Sequence, residues 1–233
     1  MNLANKLGKI IAGEVEGDEK TLLRYSRDAS LFEIKPQVVV FPKDTDDLKG
    51  LVKFVSGEKK NNRQISLTAR SGGTDMTGGP LGRSIIVDFA KHFNHIGEIE
   101  PSFAKATDGQ GRALAEAGLR HAVAGYGLAE AGIFYRDFEK ETLKHDLLLP
   151  SFPASREICT VGGMVANNAG GEKTLAYGKT DRYVKGLKVI LSDGEEYALK
   201  PLEQYELDAK LKLDSFEGEI YRGVYKIVEE SYG

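Results

Sequence analysis

The stretch TARSGGTDMTGGPLG, from Thr68 to Gly82, has five glycines in fifteen residues and follows a short apolar run. Glycine at this density weakens a helix or a strand because its backbone is conformationally free. Such a loop lets the backbone approach a ligand closely, and successive backbone N–H groups can form a concave anion site without a lysine. The stretch therefore predicts a loop that binds an anionic group such as a phosphate.

Neither of the two common nucleotide-binding motifs fits this loop. Gly73 and Gly78 have the separation of a P-loop, but Gly79 and Pro80 stand where that motif needs Lys and Ser or Thr. The dinucleotide fingerprint G-x-G-x-x-G is also absent from the loop. The sequence therefore argues against a triphosphate site and against a Rossmann-type site.

A second loop of similar composition, CTVGGMVANNAGGEKTLAYGKT, spans residues 159–180. Like the first loop, it contains two glycine pairs. Tight turns alone could account for one such pair, and they remain the alternative for these loops. Two loops that permit close backbone approach favour one large, flat or extended ligand lying against the backbone.

The first loop lies within an α/β pattern that covers residues 37–89. Apolar runs predict buried strands, and the stretch KDTDDLKGLVKFVSG predicts a helix that Asp44 or Thr45 caps and Gly57 ends. A further helical spacing covers residues 3–15. The predicted strands are QVVVFP at 37–42, QISLT at 64–68 and RSIIVDF at 83–89.

The remainder of the chain gives weaker patterns. Residues 135–146 predict a helix, residues 183–200 a hairpin turning at Asp193-Gly194, and residues 214–233 a C-terminal helix. Residues 101–125 are rich in Ala and Gly and predict a surface insertion at a hairpin turn, with a short helix as an option.

Composition restricts the possible partners. The 233 residues carry a net charge of -3, which gives no electrostatic reason to expect nucleic acid or an anionic membrane as a partner. The single cysteine, Cys159, excludes an internal disulfide and is expected to be a buried thiol. His92 and His95 have the spacing of metal ligands but lack a third ligand, so no metal site is predicted. Without a signal-peptide pattern or an integral membrane segment, we expect a cytoplasmic chain.

Several ordered motifs resemble one family, and the resemblance runs from about Tyr25 to Gly194 with an interruption at 101–125. The family is the FAD-binding domain of the vanillyl-alcohol-oxidase type, also called the PCMH type, in its D-lactate, glycolate and 2-hydroxyglutarate dehydrogenase branch. The similar stretches are RYSRDAS, PQVVVFPKDTDDLKGLVKF, ARSGGTDMTGGPLGRSIIVDFAKHFNHI, LLLPSFPASREICTVGGMVANNAGG and YGKTDRYVKGLKVILSDG.

The resemblance implies an α+β fold, a two-part FAD-binding domain of the PCMH type. Residues 1–92 would form a small mixed α/β subdomain that carries the pyrophosphate loop. Residues 93–233 would form an incomplete second subdomain, a larger mixed sheet with helices.

The resemblance also implies a set of FAD-binding residues. The FAD pyrophosphate would lie against Arg70, Ser71, Gly72, Gly73, Thr74, Asp75, Thr77, Gly78 and Gly79. The flavin and its ribityl chain would lie against Pro153, Ser155, Thr160, Val161, Gly162, Gly163, Asn168, Gly170, Tyr177 and Gly178. Thr74 stands where some members carry a flavin-linking histidine, so the FAD is expected to be non-covalent. No catalytic residue is indicated.

The implied activity is a dehydrogenase that transfers a hydride equivalent from a 2-hydroxy acid to FAD. Family members continue into a substrate-binding cap domain, whereas this sequence stops at Gly233. We therefore expect a truncated product or one subunit of a split enzyme, with a separate cap-domain or electron-acceptor partner. The alternatives are a flavin-binding fragment without activity alone and a domain like UDP-N-acetylenolpyruvoylglucosamine reductase.

Overall fold

The computed structural model describes residues 2–102 and 124–232, which divide into two compact units. The first unit runs from Met1 to Val184 and the second from Lys185 to Gly233. The predicted surface insertion at 101–125 lies, apart from its strand ends, outside the described residues, and so does the optional helix within it. The proposed boundary at residue 92 remains a prediction.

A four-stranded sheet forms the core of the first unit. Strands β2, β4 and β3 are parallel neighbours, and β1 joins the β2 edge in antiparallel orientation. Every residue of β2 and β4 is buried, as their continuous apolar runs predict. The strands are β1 Glu14–Glu16, β2 Val38–Phe41, β3 Leu67–Arg70 and β4 Ile85–Asp88.

The helix Thr45–Glu58 packs Leu51 and Val55 into the core formed with this sheet. Asp44 caps it as predicted, with its carboxylate accepting from the Asp47 N–H at 3.0 Å. The prediction that Gly57 ends the helix is wrong, because the helix continues through Glu58. A glycine in a helix interior weakens the helix without having to terminate it.

The prediction of a helix over residues 3–15 is correct only at its start. The helix Leu3–Leu7 ends at Gly8, and the chain then enters β1 at Glu14. Gly13 makes this possible because its backbone lies against the Phe41 carbonyl, where a Cβ would collide. A second helix, Glu19–Arg24, follows β1.

The rest of the first unit is a hairpin and a set of short helices. Strand β5, Ile96–Ser102, pairs antiparallel with β6, Ala124–Ala129, and places Ser102 opposite Ala124. The predicted helix at 135–146 is confirmed as an α-helix that continues into a 3-10 turn. The helical segments are Tyr135–Thr142, Leu143–His145, Val161–Ala166, Thr174–Tyr177 and Thr180–Tyr183.

The second unit contains the predicted hairpin and two helices. Strands β7, Leu187–Ile190, and β8, Glu196–Leu199, pair antiparallel, and Gly194 takes a φ of 78° in their turn. The helix Phe216–Tyr232 confirms the C-terminal prediction, whereas the sequence did not predict the helix Gln204–Leu211. No helix of the described residues is long and apolar enough to cross a membrane.

Candidate functional site

The first glycine loop starts where β3 ends, and Arg70 anchors it there. The guanidinium of Arg70 donates to the carbonyl of Arg27 at 2.7 Å and lies over the ring of Tyr25, 5.1 Å from its centroid. Burial lowers the pKa of Arg70. Arg70 therefore ties the loop to residues 25–27. Because its guanidinium is engaged there, Arg70 is less available to a ligand than the resemblance implied.

A buried pair supports the same edge of the sheet. The hydroxyl of Tyr25 donates to Asp88 Oδ2 at 2.9 Å, and the Asp88 carboxylate also accepts from the Lys91 N–H at 3.1 Å. Asp88 lies at the end of β4, where burial raises its pKa. The pair ties Tyr25, which follows the helix Glu19–Arg24 and contacts Arg70, to the end of β4.

The first half of the loop offers its backbone to a ligand. Gly73 has a φ of 65°, and a Cβ there would lie 2.5 Å from Arg70 Nη2. Within residues 2–102 and 124–232, the N–H groups of Gly72, Gly73 and Thr74 donate no hydrogen bond. Three successive uncommitted N–H groups form the kind of backbone site that binds an anion.

The second half of the loop is organised by Asp75. Its Oδ2 accepts from the Thr77 hydroxyl at 2.6 Å, the Gly79 N–H at 2.7 Å and the Thr77 N–H at 3.1 Å. Its Oδ1 accepts from Asn167 Nδ2 at 2.9 Å. The Thr77 hydroxyl, with these other donors, lowers the pKa of Asp75 to about 2. The carboxylate is therefore ionised at neutral pH.

Two hydroxyl groups join the first loop to the second. Ser71 Oγ lies 2.5 Å from Thr160 Oγ1, and the fully buried Thr160 also accepts from the Gly163 N–H at 3.2 Å. A Cβ on Gly163 would lie 3.2 Å from Thr160 Oγ1 and 3.4 Å from Ser71 Oγ. The absence of a side chain at Gly163 therefore leaves both hydroxyls uncrowded.

The helix Val161–Ala166 was predicted as part of a loop, and that prediction is wrong. Thr160 caps the helix, and the N–H groups of Val161 and Gly162 donate to the carbonyls of Ile133 and Ala131, each at 2.9 Å. A Cβ on Gly162 would collide with Ala131. The glycine pair thus serves close packing of a helix rather than an open loop.

The remaining residues implied by the resemblance shape turns of the second loop. Asn168, at a φ of 43°, accepts from the Asp181 N–H at 3.0 Å through Oδ1. The Tyr177 carbonyl accepts from the Tyr183 hydroxyl at 2.8 Å. The other members of this group are Pro153 and Ser155, whose carbonyls accept turn hydrogen bonds, Gly170, which packs on Thr174, and Gly178, at a φ of 81°.

Three residues near the first loop were missed by the sequence reasoning. Asn167 bonds Asp75, and Phe32 lies under Gly78, where a Cβ would be 3.0 Å from the ring. Asp28 has a buried Oδ2 without a hydrogen-bond partner among the described residues. Asp28 and Phe32 lie in or next to the RYSRDAS stretch, which the sequence did not connect with a site.

The pair of histidines takes no part in this arrangement. His92 Nε2 lies 2.8 Å from Glu14 Oε2, and His95 Nδ1 lies 2.9 Å from Glu130 Oε2. Cys159 is buried as expected, and burial raises its pKa. In the part of the chain that is described, no group of side chains could hold a metal ion.

The geometry fits the pyrophosphate of a dinucleotide. The N–H groups of Gly72–Thr74, which have no acceptor among the described residues, can take negative charge, and the hydroxyl of the adjacent Ser71 is a further potential donor. Gly72 approaches the Ile158 carbonyl so closely that a Cβ would collide there. The arrangement could hold an anionic ligand by backbone contacts and without a lysine.

Comparison with known proteins identifies an FAD-binding family and several of its members as similar to this chain. The family described as "FAD binding domain" matches residues 36–200. The chain is 30% identical over 204 residues to D-2-hydroxyglutarate dehydrogenase of Escherichia coli (strain K12), covering 88% of this chain and 18% of that protein. It is 28% identical to glycolate oxidase subunit GlcD of Bacillus subtilis (strain 168), covering 74% of this chain and 32% of that subunit.

Solved structures share the fold. The structure of 6-hydroxy-D-nicotine oxidase from Arthrobacter nicotinovorans matches with a TM-score of 0.63 at 18% identity, covering 88% of this chain and 39% of that one. The predicted α+β class and PCMH-type architecture are therefore confirmed. The chain spans 18% to 32% of the length of the curated relatives named above.

Proposed function

Because the chain belongs to the FAD binding domain family, we propose that it binds FAD non-covalently between its two glycine loops. The observation that carries the proposal is the hydrogen bond between Ser71 and Thr160 beside the three free N–H groups of Gly72–Thr74. The pyrophosphate would lie on these N–H groups, and the flavin would extend along the second loop.

The remaining residues support the cofactor indirectly. Arg70, Asp75, Thr77, Gly78 and Gly79 hold the conformation of the first loop. Gly162 allows the helix Val161–Ala166 to pack against Ala131, and Gly163 leaves room for the hydroxyls of Thr160 and Ser71. The turns at 153–155, 168–170 and 177–178 would line the flavin. The proposed cofactor is non-covalent because Thr74 offers no imidazole to the flavin.

We further propose that the domain belongs to an oxidoreductase acting on a D-2-hydroxy acid. The relatives named D-2-hydroxyglutarate dehydrogenase and glycolate oxidase subunit support this substrate class. Bound FAD would accept a hydride equivalent from the carbon that bears the hydroxyl, and the protein would bind and orient it. The electron acceptor would be a separate partner.

Titration of the purified chain with FAD tests the cofactor proposal. Flavin fluorescence or absorbance should change to saturation at one FAD per chain, with a micromolar or tighter dissociation constant. The control is riboflavin, which lacks the pyrophosphate and should bind more weakly. No uptake of FAD, or equal affinity for both flavins, would contradict a pyrophosphate site at Gly72–Thr74.

The second candidate is a flavin-binding module without activity of its own. The specific observation in its favour is that the chain spans 18% of the length of the dehydrogenase it resembles. Turnover of D-2-hydroxyglutarate or D-lactate with an artificial electron acceptor separates the two candidates. Measurable turnover by the FAD-loaded chain alone would refute the module, and FAD binding without turnover would support it.

A further inference from the structure

We propose that Asp75 is a positioning residue that holds the first glycine loop closed and clamps it to Asn167 of the second loop. The proposal rests on the proposed FAD site but assigns Asp75 a role different from contact with the pyrophosphate. Three hydrogen bonds to its own loop and one across to Asn167 define the clamp, which we call the Asp75 clamp.

The hydrogen bonds to Asp75 leave it little capacity to bind a ligand. Oδ2 accepts from the Thr77 N–H, the Thr77 hydroxyl and the Gly79 N–H, and Oδ1 accepts from Asn167. An ionised carboxylate also repels a phosphate, because like charges at short range raise the free energy of the complex. Asp75 is therefore poorly suited to contact the pyrophosphate directly.

The clamp divides the loop into two functional halves. The N–H groups of Thr77 and Gly79 are occupied by the carboxylate, whereas those of Gly72, Gly73 and Thr74 have no acceptor among the described residues. By folding the second half onto itself, Asp75 leaves the first half as the anion site. Ser71, whose hydroxyl bonds Thr160, directly precedes that half.

The bond to Asn167 makes the clamp a link between the loops. The two residues are 92 positions apart, and Asn167 follows directly after the helix Val161–Ala166 that Thr160 caps. Together with the pair Ser71 and Thr160, the clamp gives the loops two cross-connections. Two cross-connections restrict the relative motion of the loops, so a cofactor spanning them would meet a more preorganised site.

Substitution of Asp75→Asn tests the clamp, because it removes the negative charge that accepts four hydrogen bonds and turns one acceptor oxygen into an NH₂ donor. The expected result is a dissociation constant for FAD about tenfold larger. Asn167→Ala should weaken FAD binding less than Asp75→Asn does. The double variant should bind FAD no more weakly than Asp75→Asn, because both substitutions break the same hydrogen bond between Asp75 and Asn167. The matched control is Asp146→Asn, at an exposed carboxylate, which should bind FAD as the parent does.

Amide hydrogen exchange in the absence of FAD provides a readout independent of the cofactor. The Thr77 and Gly79 amides should exchange more slowly in the parent chain than in Asp75→Asn. The substitution should lower the free energy of unfolding by much less than it weakens the free energy of FAD binding. Tighter FAD binding by Asp75→Asn would overturn the proposal and mean that the carboxylate competes with the pyrophosphate. Unchanged exchange at both amides would overturn it even if the parent chain binds no FAD.

Discussion

Ser71 Oγ lies 2.5 Å from Thr160 Oγ1, across 89 positions of sequence. The contact joins the loop that follows β3 to the cap of the helix Val161–Ala166. Thr160 is fully buried and uses the same hydroxyl to accept from the Gly163 N–H. One threonine therefore both starts a helix and connects the two halves of the candidate FAD site.

Replacement of Thr160→Val should destabilise the protein by about 1–2 kcal/mol, because a buried helix cap and a cross-loop hydrogen bond are lost together. Ser71→Ala removes only the cross-loop bond and should cost less. Urea unfolding of the two variants measures the difference. Equal costs would contradict the dual role of the Thr160 hydroxyl.

Replacement of Gly162→Ala should destabilise the protein by about 1–3 kcal/mol, because the new Cβ would overlap the Ala131 backbone and overpack the site. The control is Gly57→Ala in the helix Thr45–Glu58, where a Cβ meets nothing within 4 Å. That variant should gain about 0.5–1 kcal/mol from helix propensity. Thermal unfolding of both variants checks the sign, and a Gly162→Ala variant as stable as the parent would count against the packing.

Removal of the Tyr25 hydroxyl by Tyr25→Phe should cost about 1–3 kcal/mol, because Asp88 Oδ2 loses its buried donor. Loss of that donor raises the pKa of Asp88 further above its ordinary value. A raised carboxyl pKa means that stability is lost as pH rises through the folded-state pKa. The penalty should therefore be larger at pH 8 than at pH 5, and a penalty that shrinks with rising pH would exclude this account.

Glu14 should contribute to stability in a pH-dependent way. Hydrogen bonds from His92 and Lys91 lower its pKa from 4.5 to about 2. A lowered carboxyl pKa gives stability that is present above the ordinary value and lost as pH falls from about 4.5 toward 2. Because Glu14 is 46% exposed, the cost of Glu14→Gln at pH 6 should be at most about 1 kcal/mol. Unfolding curves of the two proteins should converge near pH 2.

Denaturation of the FAD-loaded chain should release all of its flavin. Some family members carry a histidine that is covalently linked to the flavin at the position of Thr74. The threonine hydroxyl is not expected to form such a link. Precipitation with acid followed by absorbance of the supernatant measures the released fraction. Yellow colour retained in the washed precipitate would refute the non-covalent assignment.

The sequence predicted the central strands and the long helix because each has a strong local signal. Runs of Val and Ile form β2 and β4, and Asp44 caps the helix Thr45–Glu58. It did not predict the helix Val161–Ala166, because a glycine pair in its first turn opposes helix formation locally. Packing of that turn against Ala131 and the cap at Thr160 outweigh the propensity.

The sequence by itself determined the fold class and the two glycine loops, since both depend on short-range composition and on the order of motifs along the chain. Only the tertiary structure decided which backbone groups remain for a ligand. Asp75 uses the N–H groups of Thr77 and Gly79, and Arg70 turns toward the carbonyl of Arg27. The physical reason is that donors and acceptors pair with groups that are close in space, whatever their distance in sequence. Asn167, which bonds Asp75, lies 92 positions from it.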